Sequence, residues 1–222
     1  MEILRGSDLE QDKEPLWNSK FSLITISTFF LLFGHNLLTP TLPLYFNRLG
    51  YTESAIGFII GLAAISSLIV RPFVGRALDN LNRNKVYISG LVILVFSCFL
   101  YSYLILLFLF LLLRLIHGIG FGIATTASGT IAVDALPKKH MVKGMIYYHL
   151  APTLAMALGP ALGLFLVDRY SFPLMFTCAA VFSTLAIFFT VFTSSIRLEH
   201  EQKTLNMSLF EPSVFRPALV VF

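Results

Sequence analysis

A few polar side chains stand inside stretches of this chain that are otherwise apolar. Arg114 is one, with His117 three residues on and on the same face of any helix through them. His35 and Asn36 interrupt another such stretch, just ahead of Pro40 and Pro43. A charge in hydrocarbon costs about 2.5–3.5 kcal/mol on insertion scales, so an intramembrane arginine turns to the bundle interior or to a water-filled cavity and is a functional candidate. The plainer reading is an arginine bonded to backbone carbonyls of a neighbouring helix. For the histidines the choice is between proton carriers and satisfied packing residues. His35 and Asn36 are either a substrate-facing patch or an interhelical hydrogen bond of about 1 kcal/mol. Proline in the middle of such a helix frees carbonyls, which is tolerated where the helix lines a cavity or packs on neighbours. No Asp or Glu lies within these apolar stretches. Proton movement through them would fall to His35 or His117, or to a part of the protein outside them.

Charged residues of both signs gather between the apolar stretches. Asp79 and Arg83 are spaced i,i+4 and can pair if the segment is helical; Asp134 falls at the end of the stretch that holds Arg114. Left solvated, such charges contribute almost nothing each. Small residues recur at helical spacing: Ala151, Ala155, Gly159 and Gly163; Gly118 and Gly122; Gly57 and Gly61. Stripes of this kind let helices approach closely, and they also permit sliding during gating. Pro160 should kink its helix.

The elements that carry these residues are membrane spans. Of 222 residues, 56% are hydrophobic and only 13% charged, against about 25% charged in a soluble domain. The mean hydropathy is +0.80. Such a chain is a polytopic membrane protein. Its +4 net charge is not that of a nucleic-acid-binding module, and Cys98 and Cys178, both in apolar runs, do not make a disulfide scaffold. At about 20 residues per span, six spans are expected: Phe21 to Tyr45, Ala55 to Gly75, Val86 to Tyr101, Leu104 to Thr130, Gly144 to Val167 and Phe172 to Ser194. Tyr101-Ser102-Tyr103 marks the hairpin between the third and fourth, because tyrosine prefers the membrane interface. Basic residues collect on one side: Arg76, Arg83 and Lys85, then Lys138, Lys139 and Lys143, then Arg197 and Lys203, with only Arg48 and Arg169 opposite. By the positive-inside rule both ends are cytoplasmic. Residues 1–20 read as a cytoplasmic tail, 21–194 as the six-helix domain, and 195–222 as a linker followed by the start of a cut-off seventh span, or by an apolar tail on the membrane surface. No cofactor or metal set is visible: His140 and His149 are isolated, which argues against a polytopic membrane enzyme. A channel lacks any ring-forming charged or filter-like segment.

Three strings, in order on the right spans, carry a resemblance. Gly75-Arg76-Ala77-Leu78-Asp79-Asn80-Leu81-Asn82-Arg83-Asn84-Lys85 resembles the cytoplasmic loop motif G-x-x-x-D-R-x-G-R-R/K of the major facilitator superfamily, matching at Gly75, Asp79 and Arg83. Arg114-Leu115-Ile116-His117-Gly118 is similar to its R-x-x-x-G string, linked in that family to proton coupling. Gly159-Pro160-Ala161-Leu162-Gly163 is similar to the core of the exporter motif, although Ala155 and Ile146 replace two glycines of the longer motif. The resemblance implies an all-α membrane protein whose six transmembrane helices form one half of a major-facilitator-type bundle. It implies a cell-membrane antiporter that expels a small molecule, with the proton as coupling ion and substrate bound between two halves near the midplane. The partner would be a missing C-terminal half or a second copy of a half-size carrier. It further implies that an acidic residue at Asp134 pairs with the loop arginine, so that Gly75, Asp79, Arg83 and Asp134 latch the cytoplasmic side, while Arg114, His35, Asn36 and His117 line the substrate and proton pathway.

Overall fold

The computed structural model describes residues 15–103 and 107–194. The expected N-terminal tail up to residue 14, the linker and the cut-off seventh span at 195–222 lie outside the described residues. Six long helices make up the rest: α1 Ser19–Arg48, α2 Glu53–Asn80, α3 Arg83–Tyr101, α4 Leu107–Asp134, α5 Met141–Arg169 and α6 Phe172–Ser194. Each is long and apolar enough to cross a membrane. A single 3-10 turn, Lys138–His140, precedes α5, and no strand occurs among the described residues.

Local chemistry sets the boundaries. Asn18, Thr52 and Asn82 cap α1, α2 and α3 with side-chain oxygens that accept a backbone N–H of the first turn. Gly50, at φ +84°, turns the chain between α1 and α2 in the left-handed region that favours glycine. The α3 helix ends at Tyr101, and Ser102 and Tyr103 form the turn that the tyrosine cluster marks. Its two tyrosines part company, however. Tyr103 is 68% exposed at the end of the bundle, whereas Tyr101 is 0% exposed. The α2 helix continues past Gly75 to Asn80, so Arg76 and Asp79 ride on its protruding last turns.

The packing has an internal order. The principal contacts are α1 with α5 and α6, α4 with α2 and α3, and α3 with α6. Exchanging the first three helices for the last three (α1 for α4, α2 for α5, α3 for α6) maps this set onto itself. That is the signature of paired three-helix repeats. Glycines make the two crossed contacts tight. A Cβ on Gly159 would lie 2.7 Å from Asn36 Cβ, and one on Gly163 2.6 Å from the Leu37 carbonyl oxygen. A Cβ on Gly122 would lie 2.6 Å from the Ser67 carbonyl oxygen, and one on Gly118 would run into Ser66 and the Ala63 carbonyl. These four stripe positions therefore pack α5 on α1 and α4 on α2. Gly57 and Gly61 do not follow the packing expectation, because nothing lies within 4 Å of either. They sit on a side of α2 that no described helix covers. Helix α5 runs unbroken through both Pro152 and Pro160.

Two buried apolar clusters fill the bundle, one towards each face. Leu37, Leu42, Phe46, Phe110 and Phe176 belong to the first. Phe21, Leu31, Leu91, Ala127 and Ile131 belong to the second, nearer the basic loops. Large apolar side chains such as Phe58, Ile65 and Ile69 of α2, or Ile146 and Leu154 of α5, stay exposed. In water so much exposed apolar surface would aggregate; in a bilayer it is the expected exterior.

Candidate functional site

Helices α1, α2 and α4 enclose a cavity of about 400 Å³. Each contributes one face. His35, Leu38, Thr39 and Leu42 come from α1; Arg114, His117, Gly118 and Phe121 come from α4; Ile60, Ala63, Ala64, Ser67, Leu68 and Arg71 come from α2. Within each set the residues recur every three or four positions, as one side of a helix requires. The cavity exists because contacts are uneven: α4 lies tightly on α2, while α1 touches both only lightly.

Arg114 is 5% exposed and lies at this site with no carboxylate within 4 Å of it among the described residues. Its Nε donates to the Ile59 carbonyl of α2 at 3.4 Å, a long bond. Tyr101 and Cys98 of α3 are among its neighbours. His117 is 1% exposed and neither ring nitrogen has a hydrogen-bond partner; His35 Nδ1 and the Tyr101 hydroxyl also lack one. The rings form a row, stacked from Phe121 through His35 to His117 and tilted at Tyr101. Phe121 and His35 have centroids 3.9 Å apart, His35 and His117 5.7 Å, and His117 and Tyr101 5.7 Å. Buried polar atoms are nearly always hydrogen-bonded, so several unpartnered ones around one guanidinium set this region apart.

Asn36 does not join them. One residue advances a helix by about 100°, so His35 on the cavity side leaves its neighbour facing elsewhere. The Asn36 amide donates to the Leu32 carbonyl of its own helix at 2.8 Å, and its Cβ lies against Gly159 of α5. The expectation of a cavity-facing Asn36 is thereby corrected, and the alternative of an interhelical bond is replaced by one within α1.

Near the basic loops, Arg83 forms an ion pair with Asp134, and its Nε donates to the Leu78 carbonyl at 3.3 Å. Asp79 is left out of this pair. The i,i+4 pairing of Asp79 with Arg83 needs a continuous helix, and the helix breaks: Leu81 is extended at φ −118°, ψ 165°, and Asn82 starts α3. Asp79 is exposed on the last turn of α2, and Gly75 has nothing within 4 Å of where a Cβ would be. Beside the ion pair, Asn18 Nδ2 donates to the Ala135 carbonyl at 2.6 Å and ties the start of α1 to the end of α4.

A second buried polar group lies in the same bundle, away from the cavity. Ser27 bonds Tyr87 at 2.9 Å, Thr190 at 2.9 Å and the Ala186 carbonyl at 2.8 Å, joining α1, α3 and α6. Tyr148 bonds Ser128 at 3.0 Å and Thr28 at 3.3 Å, joining α5, α4 and α1. Sequence reasoning had no means of choosing these hydroxyls from the many others in the spans. Arg71, four residues before the expected end of the second span, lines the cavity, and Tyr101, expected at the membrane interface, is buried beside Arg114. The helical spacing from Arg71 back to Ser67 and Ile60 was the available signal for the former. Nothing in the sequence signalled the latter.

The family model for the Major Facilitator Superfamily matches residues 24–221. The chain is 27% identical over 194 residues to the quinolone resistance protein NorA of Staphylococcus aureus, an alignment covering 87% of this chain and 48% of that protein. It is likewise 27% identical over 176 residues to multidrug resistance protein 1 of Bacillus subtilis, covering 79% of this chain and 45% of the relative. The chain thus spans about half the length of the curated relatives it matches. The model match across nearly all of the chain and the six helices in paired repeats around a buried arginine agree: the chain belongs to the Major Facilitator Superfamily, a family of membrane transporters.

Proposed function

We propose that this chain is the N-terminal half of a proton-driven efflux carrier that expels small organic molecules across the cell membrane by alternating access. The observation that carries this is the cavity among α1, α2 and α4, with Arg114, His117 and His35 at its wall. Its volume falls within the range of about 300–1,000 Å³ typical of small-molecule sites. The names of the two relatives, a quinolone resistance protein and a multidrug resistance protein, favour drugs or drug-like compounds as cargo. Two six-helix halves close around such a site in carriers of this kind, and one rocks against the other. The second half is supplied by further chain or by a second copy.

In this reading both ends of the chain face the cytoplasm, as the basic loops favour. The Arg83–Asp134 pair and the exposed Asp79 form the latch side, where Asp79 is free to meet the other half. Proton coupling passes through His35 or His117, or through the second half.

The test is transport by the purified gene product in vesicles with an imposed pH gradient. Gradient-driven accumulation of a lipophilic drug or dye, abolished by an uncoupler, is the expected result. Movement that ignores the gradient would refute proton coupling, and no movement of any compound would refute the carrier reading. The intact mass of the product separates the two sources of the second half. A mass near twice 24.8 kDa indicates further chain, and 24.8 kDa itself indicates a second copy.

A further inference from the structure

The sign of the charge around the cavity bears on what enters it. Its wall carries two cations, the buried Arg114 and the exposed Arg71, and among the described residues no Asp or Glu. Among the described residues no carboxylate lies within 4 Å of Arg114. Among the described residues, the hydrogen bond it makes within 3.5 Å goes to the Ile59 carbonyl and engages one of the five N–H donors that a guanidinium presents. The Tyr101 hydroxyl stands next to the guanidinium, and the two His117 nitrogens take up none of its remaining donors.

We infer that the cavity is a receptor for an anionic group, and specifically for the carboxylate of an amphiphilic aromatic acid. An unpaired guanidinium held out of water is strained electrostatically, and a carboxylate relieves this through paired, charge-assisted hydrogen bonds in a fork geometry that arginine is shaped to give. A lipophilic cation would instead meet like charge in a poorly screened site. His117, also at the wall, can give a hydrogen bond to the same oxygens. The rest of the wall is apolar, with Leu38, Leu42 and Ile60 suited to the ring body of the ligand. The inference rests on the carrier reading for the role of the cavity, but it concerns the charge of the occupant.

The experiment measures equilibrium binding of radiolabelled 2-naphthoate to the full-length gene product in lipid nanodiscs, with empty nanodiscs as control. Methyl 2-naphthoate and 2-naphthylmethylammonium compete for the site. The acid should bind about tenfold or more tightly than either analogue. Arg114→Gln should erase that preference, and Arg114→Lys should keep part of it. Equal or tighter binding of the ester or the ammonium compound, or an unchanged preference in Arg114→Gln, overturns the assignment. So does the absence of binding by all three. If Arg114→Gln fails to fold, the order of the three compounds on the unaltered protein still decides. A protein that moves the ammonium compound across vesicles and ignores the acid would sink the charge assignment and leave the carrier reading intact. Arg114-dependent binding of the acid with no transport of any compound would do the reverse.

Discussion

Two groups of buried polar side chains occupy one six-helix bundle, and they differ in how their hydrogen bonds are met. Around Ser27 and Tyr148 the hydroxyls bond one another and nearby carbonyls at 2.8–3.3 Å. Around Arg114 one long bond reaches a carbonyl, and two histidines and a tyrosine keep atoms without partners. The first group tethers five of the six helices and leaves none of its hydroxyls without a hydrogen-bond partner. The second lines a void. Polarity inside a membrane protein is therefore not by itself a mark of function; unmet polarity beside a cavity is what makes Arg114, His117 and His35 candidates. The satisfied group gives cohesion, and the unsatisfied one is kept at a cost to stability that an occupant of the site would offset.

Substitutions can break this contrast. The largest effect is expected at Gly118, which lines the cavity and also holds α4 against α2. Valine there would collide with Ser66 and the Ala63 carbonyl, so Gly118→Val should lower stability by about 3 kcal/mol or prevent folding. Thermal unfolding in detergent checks it, and a normal melting temperature would contradict the tight contact. Next comes Arg114→Gln. Losing the charged hydrogen bonds to a ligand costs about 1.5–3 kcal/mol, which is roughly 10–150-fold in affinity or transport. Its melting temperature should hold or rise, since an unpaired buried charge is removed. A protein that transports normally but melts early would reverse the roles assigned here. Tyr87→Phe is the mirror image: stability should fall by about 0.6–1.7 kcal/mol with transport unchanged. The smallest thermodynamic effect belongs to Asp134→Asn. The pair with Arg83 is partly exposed, so its loss should cost at most about 1 kcal/mol, and less in high salt. If the pair is part of a latch, the transport rate should change more than the melting temperature does.

Much of this was legible in the sequence, for identifiable reasons. The six spans followed from run lengths, and the α3–α4 hairpin from its tyrosine cluster. Arg114, His117 and His35 were legible because each is costly in hydrocarbon and so needs a special place. What stayed hidden depends on helix phase and on where helices stop. Asn36 shares a polar dipeptide with His35, yet one step of rotation sends it to α5. Asp79 and Arg83 have the spacing of a pair, but the extended backbone at Leu81 separates them. Tyr101 resembles Tyr103 in every local respect, and only the packing of α3 against α4 and α6 tells them apart.

The crossed contact between α1 and α5 also bears on how the protein is made. Thr28 and Tyr148, which meet there, are 120 positions apart in the chain. At a synthesis rate of about 5–20 residues per second, α1 waits roughly 6–24 s in the bilayer before its principal partner emerges. Throughout that interval Ser27, Thr28, His35 and Asn36 have few of their final neighbours. The insertion machinery, or lipid headgroups and water at the membrane surface, must shelter them. Ribosome pausing before α5 would prolong that exposure, so the tempo of translation belongs among the determinants of the fold.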